Sequence, residues 1–168
     1  KTFSAYRDAK KSFFDTLPSN AFALVNDDDK NGKIMIQNCP ARKYTYACKK
    51  MADYNARILE NSVDGMQLNI DGTEIWSSLI GMHNAYNLLA VYACARLLDA
   101  SREEILPVLS SLKTVSGRME YVRGGNNLTA VVDYSHTPDA LKNVLTTLKD
   151  LLKPGQELIC VVGCGGNR

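Results

Sequence analysis

Thr129-Ala-Val-Val-Asp-Tyr-Ser-His-Thr-Pro-Asp-Ala-Leu141 predicts a strand, a turn and a helix start in immediate succession, which is typical of an α/β protein. The run Ala130–Val132 is short, apolar and rich in β-branched residues, as in a buried strand. Thr137 precedes Pro138, so a hydroxyl oxygen can cap a helix whose first position is a proline. Polar side chains therefore lie between the carboxyl end of a strand and the amino end of a helix, where open α/β sheets bind ligands.

Asp133 and His136 are the ionisable side chains of that turn and are candidate ligand-binding groups. Taken alone, the turn is equally well explained as a helix cap with a solvated aspartate. Both interpretations stay open from the residues alone.

The sequence on either side extends the α/β pattern. A helix over 139–153 and a strand over Glu157-Leu-Ile-Cys-Val-Val162 predict a right-handed parallel strand-helix-strand unit. Residues 118–132 predict a hairpin around Gly124-Gly-Asn-Asn127. The glycine-rich end, Gly163-Cys-Gly-Gly-Asn-Arg168, is similar to a phosphate loop but lacks the G-x-G-x-x-G spacing. No G-x-x-x-x-G-K-[ST] occurs, so a nucleotide triphosphate site would lack its usual cradle.

Thr114-Val-Ser-Gly117 interrupts the periodicity and predicts a domain boundary, with one unit over 1–113 and a second over 114–168. Within the first unit, short strands are predicted at 22–25, 43–46, 56–59, 65–70 and 74–80. Asp71-Gly72 is a strong hairpin signal between the last two. Asn26-Asp-Asp-Asp29 could bind a cation, but a loop ending in a helix cap is favoured.

Two predicted helices in the first unit carry unusual polar residues. The helix over 2–17 has an apolar arc, and Lys10 falls near the middle of that arc while Lys11 points off it. Lys10 could extend its ammonium out from beneath aromatic neighbours, which is favoured from the residues, or burial or chemistry could neutralise it. The helix that begins at Gly81 is apolar nearly all round from 88 to 98, which predicts a buried body. Asn84 and Asn87 share one of its faces and could read the edge of a purine, although a helix cap at Asn84 is favoured on spacing alone.

Composition narrows the class of protein. With 168 residues, 45% hydrophobic and 23% charged, the chain should fold as one ordinary domain or pieces of two. The net charge of +2 is spread along the chain, which argues against a nucleic-acid partner. The longest apolar run is well short of the roughly 20 residues that span a bilayer, so no membrane segment is expected. The five cysteines include no C-x-x-C pair and the two histidines are far apart in sequence, which argues against a zinc site. The odd number of cysteines argues against a disulfide framework, so reduced thiols in the cytoplasm are expected. The chain opens without methionine or a signal sequence, and it is interpreted as a fragment.

Four motifs in order resemble the Mur ligase family. They are Gly81-Met-His-Asn-Ala-Tyr-Asn-Leu-Leu-Ala90, Ser116-Gly-Arg-Met-Glu120, Val132-Asp-Tyr-Ser-His-Thr-Pro-Asp-Ala140 and Gly163-Cys-Gly-Gly-Asn-Arg168. The similarity is closest to members that add the third amino acid of the peptidoglycan stem, diaminopimelate or lysine, to UDP-N-acetylmuramoyl-L-alanyl-D-glutamate. The chain departs from the pattern mainly at Ser135 and Asn167, where alanine and aspartate are commoner.

The resemblance implies an architecture and a reaction. The chain would be the second half of a central ATPase domain joined to the first strand-helix-strand part of a Rossmann-like C-terminal domain. The implied reaction is ATP-dependent amide formation through an acyl phosphate, with Mg²⁺ as cofactor. The UDP-MurNAc-dipeptide and the amino acid would be the partners of a cytoplasmic monomer. The phosphate loop and the motif that selects the amino acid would lie outside residues 1–168, so this chain alone is expected to be inactive.

The resemblance also implies residue roles. Lys10 is similar to the family lysine that is carbamylated and helps to hold Mg²⁺, and Arg118 to a catalytic arginine that contacts phosphate. The other implied contacts are ATP at Asn84, Asn87, Asp133 and His136, and a carboxylate of the incoming amino acid at Arg168. A folylpolyglutamate synthase relative and a nucleotide-binding module without chemistry are the two alternatives.

Overall fold

The computed structural model describes residues 2–125 and 128–163, and within those ranges it is a mixed α/β structure. The helices are α1 (Phe3–Asp15), α2 (Gly32–Met35), α3 (Met82–Leu97), α4 (Arg102–Ser111) and α5 (Pro138–Asp150). The strands are β1 (Phe22–Asn26), β2 (Arg42–Ala47), β3 (Tyr54–Ser62), β4 (Gly65–Ile70), β5 (Thr73–Ser77), β6 (Glu120–Arg123) and β7 (Thr129–Val132). The predicted α/β class is confirmed.

The larger sheet has the order β1-β2-β3-β4-β5 and changes direction across its width. β1, β2 and β3 are parallel, whereas β3, β4 and β5 are antiparallel. β4 is the central strand of the antiparallel part, and Met66, Leu68 and Ile70, which alternate along it, are fully buried. They form the main core with residues of α3 and α4, among them Leu89 and Tyr92. The buried side chains of α3 thus pack against the sheet.

The predicted hairpin between β4 and β5 is present. Asp71 and Gly72 have φ angles of 44° and 87°, as a tight two-residue hairpin turn requires. At the other end of β4, Gly65 has a φ of 149°, and a Cβ there would lie 2.6 Å from Cζ2 of Trp76. The indole therefore lies directly over Gly65. β5 ends at Ser77 rather than at the predicted position 80.

α3 begins at Met82, one residue after the predicted start, because Gly81 is its N-cap residue with a φ of 85°. Its buried face includes Ala85, Leu88, Leu89, Tyr92 and Ala93. The prediction that the body is buried on all sides is wrong, since Val91 is 51% exposed and the following Leu98 is 70% exposed. Only one face of α3 meets the sheet and α4. Among the described residues, no helix is both long and apolar enough to cross a membrane.

α1 departs further from its predicted environment. Its last turn packs through Phe14 and the following Leu17 against a second core cluster, formed around Ala23, Val25, Ile36, Cys39 and Ala41. Phe3, Tyr6 and Phe13 are each more than half exposed. The apolar arc is therefore covered only at the carboxyl end of the helix, where it meets β1 and α2.

The C-terminal unit consists of the β6-β7 hairpin and α5. Thr137 caps α5 by accepting a hydrogen bond of 3.3 Å from the Ala140 amide, and Pro138 is the first helical residue, as predicted. The strand predicted at 157–162 is wrong for the described structure, where residues 155–163 form neither helix nor strand. A strand needs a neighbour for its backbone donors and acceptors, and the described partner of β7 is β6. Ile159 and Val161 are accordingly 82% and 93% exposed.

Candidate functional site

Asn84 and Asn87 lie together at the amino end of α3. The Asn84 Nδ2 donates to the Ile80 carbonyl at 2.9 Å, and the Asn87 Nδ2 donates to the Asn84 Oδ1 at 3.4 Å. Gly81 is the N-cap residue, so the favoured prediction that Asn84 caps the helix is wrong. Asn84 instead sits in the first turn and supports Asn87, which is exposed. The Oδ1 of Asn87 accepts no hydrogen bond from the described residues, so this exposed amide is able to accept and donate.

The carboxylates of Asn26-Asp-Asp-Asp29 are occupied by protein donors. The Asp27 side chain is 9% exposed and forms ion pairs with Lys33 at 3.3 Å and Lys50 at 3.0 Å. Asp29 accepts from the Asn31 amide at 2.7 Å in the turn before α2. The stretch is therefore a loop, as favoured, but the predicted helix cap is wrong, since the N-cap residue of α2 is Asn31 and it makes no side-chain cap.

Asp133 lies at the end of β7, as predicted, and its carboxylate ties two turns together. Its Oδ2 accepts from the Met119 amide at 3.0 Å, and its Oδ1 accepts from the Ser135 amide at 2.8 Å and from the Ser135 hydroxyl. Burial raises the pKa of Asp133, but the hydrogen bonds from Ser135 and Met119 and the charge of Arg118 outweigh it, so the pKa lies below its ordinary value. Asp133 is therefore ionised at neutral pH, and its Oδ2 keeps a lone pair for a further donor.

Arg118 and His136 both contact the ring of Tyr134, the residue that follows Asp133. The sequence prediction did not single out Tyr134. The Arg118 guanidinium carbon lies 5.3 Å from the centroid of the Tyr134 ring. The centroid of the His136 ring lies 5.3 Å from the same centroid, and the two rings pack edge to face. Both Arg118 and His136 are exposed. The turn that positions Arg118 is held by Glu120, which accepts from the Gly117 amide at 2.7 Å and from the Ser116 hydroxyl at 3.0 Å.

The amino end of α3 and the C-terminal unit meet in the structure. A Cβ on Gly81 would lie 2.7 Å from the Thr147 Cγ2 and 3.1 Å from the His83 Cε1, so α5 approaches the start of α3 closely. The Tyr121 hydroxyl donates to the Ser78 carbonyl at 3.5 Å. Burial lowers the pKa of His83, and the negative charge of Asp133 opposes that shift. The asparagines of α3 and the group around Asp133 are thus brought to one junction.

His83 itself was missed as a site residue, because the sequence prediction considered it only as a metal ligand. The available signal was its position in the first turn of a helix that also carries Asn84 and Asn87. His83 is a residue of this junction in the structure, between Gly81 and the charge of Asp133.

Lys10 makes its described contact within α1. Its ammonium lies 4.5 Å from the centroid of the Tyr6 ring, one turn earlier on α1, so the predicted shared face is correct. Of the two interpretations, an ammonium that extends out from beneath aromatic neighbours agrees with the structure and burial does not, since Lys10 and Tyr6 are both exposed. Lys11 is the more enclosed lysine, with a side chain 12% exposed and an ion pair to Asp15 at 2.5 Å. Lys10 is exposed because only the last turn of α1 packs against other described residues.

Arg168 lies outside the described residues. In the described ranges, no three side chains of His, Cys, Asp or Glu are grouped as a metal site. The cysteines of those ranges, Cys39, Cys48, Cys94 and Cys160, carry free thiols.

Two protein-family models match this chain. Residues 1–95 match the Mur ligase middle domain, and residues 117–168 match the Mur ligase glutamate ligase domain. This chain belongs to the Mur ligase family. The motifs around Asn84, Arg118 and Asp133 therefore belong to a Mur ligase, as the resemblance implied.

Curated relatives match this Mur ligase chain over its full length. A UDP-N-acetylmuramoyl-L-alanyl-D-glutamate–2,6-diaminopimelate ligase of Cytophaga hutchinsonii is 50% identical over 168 residues, which is 100% of this chain and 34% of the relative. A protein of the same name from Parabacteroides distasonis is 49% identical over 168 residues, covering 100% of this chain and 35% of the relative. The chain thus spans about a third of the length of these relatives.

Solved structures of the family share the fold. A UDP-N-acetylmuramoyl-L-alanyl-D-glutamate–2,6-diaminopimelate ligase is 32% identical and superposes with a TM-score of 0.74, covering 100% of this chain and 36% of its own. A MurF ligase of Thermotoga maritima in complex with ADP is 19% identical, with a TM-score of 0.68 over 88% of this chain and 35% of its own.

Proposed function

We propose that this chain is part of an ATP-dependent ligase that joins 2,6-diaminopimelate to UDP-N-acetylmuramoyl-L-alanyl-D-glutamate in peptidoglycan synthesis. The supporting observation is the 50% identity to the Cytophaga hutchinsonii ligase along all 168 residues. Four further relatives that are 46–49% identical carry the same name. That agreement favours diaminopimelate over lysine, a choice that the sequence alone left open.

We propose further that ATP binds at the junction between the start of α3 and the C-terminal unit. The ADP complex of the Thermotoga maritima MurF ligase supports a nucleotide in this fold. The polar groups at the junction suit the parts of a nucleotide: amides of Asn84 and Asn87 for the base, the carboxylate of Asp133 for ribose hydroxyls, and the exposed cation of Arg118 for phosphate. His136 would contact the nucleotide beside Asp133.

The proposed domain boundary lies in the same place. We place one domain at 1–113 and the next at 114–168. The family matches support this division, because the middle domain ends at residue 95 and the glutamate ligase domain begins at residue 117. ATP bound between the two would favour their closure.

Mg²⁺ and Lys10 form a separate part of the proposal. A carbamate on Lys10 would offer oxygen atoms, which Mg²⁺ prefers, and the exposed position of Lys10 leaves its amine accessible to CO₂. Because the described residues group no three metal-binding side chains, the carbamate would be one ligand among others from the rest of the protein and the phosphates. Arg168, a guanidinium near the end of the chain, would bind a carboxylate of the incoming diaminopimelate.

The UDP-MurNAc-dipeptide and diaminopimelate are the proposed partners of a monomeric enzyme in the cytoplasm. Neither nucleic acid nor a membrane is expected among its partners, since the charge of +2 is not gathered into a basic stripe and the longest apolar run is short.

Two substitutions in the full-length enzyme test the nucleotide site. Asp133→Ala should weaken ATP binding, because it removes a charge-assisted acceptor that is typically worth about 1.5–3 kcal/mol. Arg118→Ala should lower turnover more than ATP affinity, because its charge matters most as negative charge shifts among phosphate oxygens. Calorimetry and steady-state kinetics with ATP and diaminopimelate measure both effects.

Asp150→Ala is the matched control, since Asp150 is exposed and makes no hydrogen bond through its side chain to the described residues. Thermal melting of each variant separates local loss of binding from loss of fold. An unchanged ATP affinity in Asp133→Ala, or an unchanged turnover in Arg118→Ala, would contradict the assigned roles.

A further inference from the structure

Tyr86 joins α3 to the parallel part of the large sheet through one oxygen atom of Asp28. The Tyr86 hydroxyl donates to the Asp28 Oδ2 at 2.8 Å, although the two residues are 58 positions apart. The same oxygen accepts from the backbone amides of Cys48 at 2.7 Å and Lys49 at 2.9 Å. Three elements therefore converge on one carboxylate oxygen: the loop after β1, the loop after β2, and the first turns of α3.

The ionisation states of Asp28 and Tyr86 suit a hydrogen bond between them. Burial raises the pKa of Asp28, but hydrogen bonds from Tyr86, Cys48 and Lys49 outweigh that effect and lower it. Burial and the neighbouring Asp28 raise the pKa of Tyr86. The pair is thus a phenol donor and an ionised acceptor at neutral pH, which is the stronger class of hydrogen bond.

Tyr86 stands between Asn84 and Asn87 in sequence, and about 100° around the helix separates it from Asn87. The core contacts of α3 are apolar, and apolar contacts alone are non-directional. A directional bond from Tyr86 therefore favours one rotation of the helix about its axis, in addition to the restriction that core packing imposes. That rotation sets where the outward amide of Asn87 points.

We propose that Tyr86 is a positioning residue of the nucleotide site, which acts through Asp28 to hold the amides of Asn84 and Asn87 in register with the adenine base. The inference rests on the proposed function. It adds a link from the base-contacting asparagines to the loops at the carboxyl ends of β1 and β2.

Tyr86→Phe in the full-length enzyme tests this inference, because it keeps the ring and removes only the donor. The KM for ATP should rise about 5-fold to 20-fold, as expected for one hydrogen bond to a charged group. The kcat should stay within about twofold, and the KM values for the other two substrates should not change. Tyr44→Phe is the matched control, since Tyr44 is a half-buried residue of β2 whose hydroxyl makes no hydrogen bond to the described residues.

A second readout separates positioning from general stability. Wild-type enzyme should use ATP about tenfold better, in kcat/KM, than the purine riboside triphosphate that lacks the exocyclic amino group. In Tyr86→Phe this preference should fall to about twofold or less, because the amides no longer meet the base in register. A loss of stability alone would leave the preference unchanged.

The outcomes are distinguishable. If wild type shows the preference and Tyr86→Phe retains it, or if the KM for ATP is unchanged, the role of Tyr86 is overturned while the proposed function stands. If wild type shows no preference and Asn87→Ala leaves the KM for ATP unchanged, the assignment of the asparagines to the base is overturned as well. A rise in all three KM values together would show a structural role only, and it too would overturn positioning.

Discussion

Asp133 couples protonation to the folding of its turn. Its pKa is below the ordinary value in the folded chain, so the carboxylate contributes stability that is complete above the unfolded pKa of about 4 and is lost as the pH falls through the folded pKa. In the 168-residue chain, Asp133→Asn should reduce the free energy of unfolding at pH 7 by about 1–2 kcal/mol. The difference from wild type should shrink below about pH 4, as measured by urea denaturation at several pH values.

The control for this pH dependence is Asp150→Asn, at an exposed position of α5. It removes a carboxylate without removing a hydrogen bond in the described structure. A difference between wild type and Asp133→Asn that is constant from pH 7 to pH 2 would contradict the proposed linkage.

Lys10 is expected to be essential in the full-length enzyme. Lys10→Ala should nearly abolish ligase activity, because the proposed carbamate ligand of Mg²⁺ is lost. A short carboxylic acid could restore part of the activity, whereas bicarbonate should not, since no amine remains to react with it. Phosphate release in the presence of both substrates measures this.

Lys11→Ala is the adjacent control. It removes the ion pair with Asp15 and should cost stability rather than turnover. Full activity in Lys10→Ala, or equal loss in both variants, would rule out a special role for Lys10.

Local chemistry explains which parts of the candidate site could be predicted from the sequence. Thr137 and Pro138 encode the start of α5 within four residues, and the structure shows that cap. The exposure of Lys10 could not be predicted from neighbouring residues, because it depends on which elements distant in sequence pack against α1. The sharing of Tyr134 by Arg118 and His136 likewise needs the β6-β7 pairing, which brings residues far apart in sequence together.

Two glycines at the ends of β4 allow the stability costs of two glycine-to-alanine substitutions to be compared. Gly65 and Gly72 both have positive φ angles, but a Cβ on Gly65 would lie 2.4 Å from the Ser77 carbonyl oxygen, whereas Gly72 has open space around it. Gly72→Ala should cost about 1 kcal/mol through backbone strain alone, and Gly65→Ala should cost about 2–4 kcal/mol because a clash is added. Urea denaturation of the 168-residue chain measures the loss in the free energy of unfolding for each variant. Equal losses would show that the close approach of β5 does not constrain Gly65.

The same comparison shows why some strands were predictable and one was not. The turn at Asp71-Gly72 is encoded by two adjacent residues, and β4 and β5 pair through it. Glu157–Val162 has the apolar, β-branched composition of a strand, but composition supplies no hydrogen-bonding neighbour. In the described structure that segment remains unpaired, so its sequence pattern does not by itself produce a strand.

The 168-residue chain as a whole is expected to release no phosphate from ATP. Its sequence contains no G-x-x-x-x-G-K-[ST] loop, and the described residues group no metal site, so charge on the transferring phosphoryl group would be poorly stabilised. A phosphate-release assay at increasing chain concentration tests this. Release in proportion to the chain, abolished by Asp133→Ala, would contradict the expectation.

Trp76, the single tryptophan of the chain, lies across Gly65 and is 47% exposed. Its intrinsic fluorescence is therefore a spectroscopic probe of the antiparallel half of the sheet, without any engineered label. Separation of β4 from β5 would release the indole into water and shift its emission to longer wavelength, whereas circular dichroism also reports the helices, α5 of the C-terminal unit among them. Emission and circular dichroism recorded on the same sample would thus reveal whether the sheet and the C-terminal unit melt in one transition or in two.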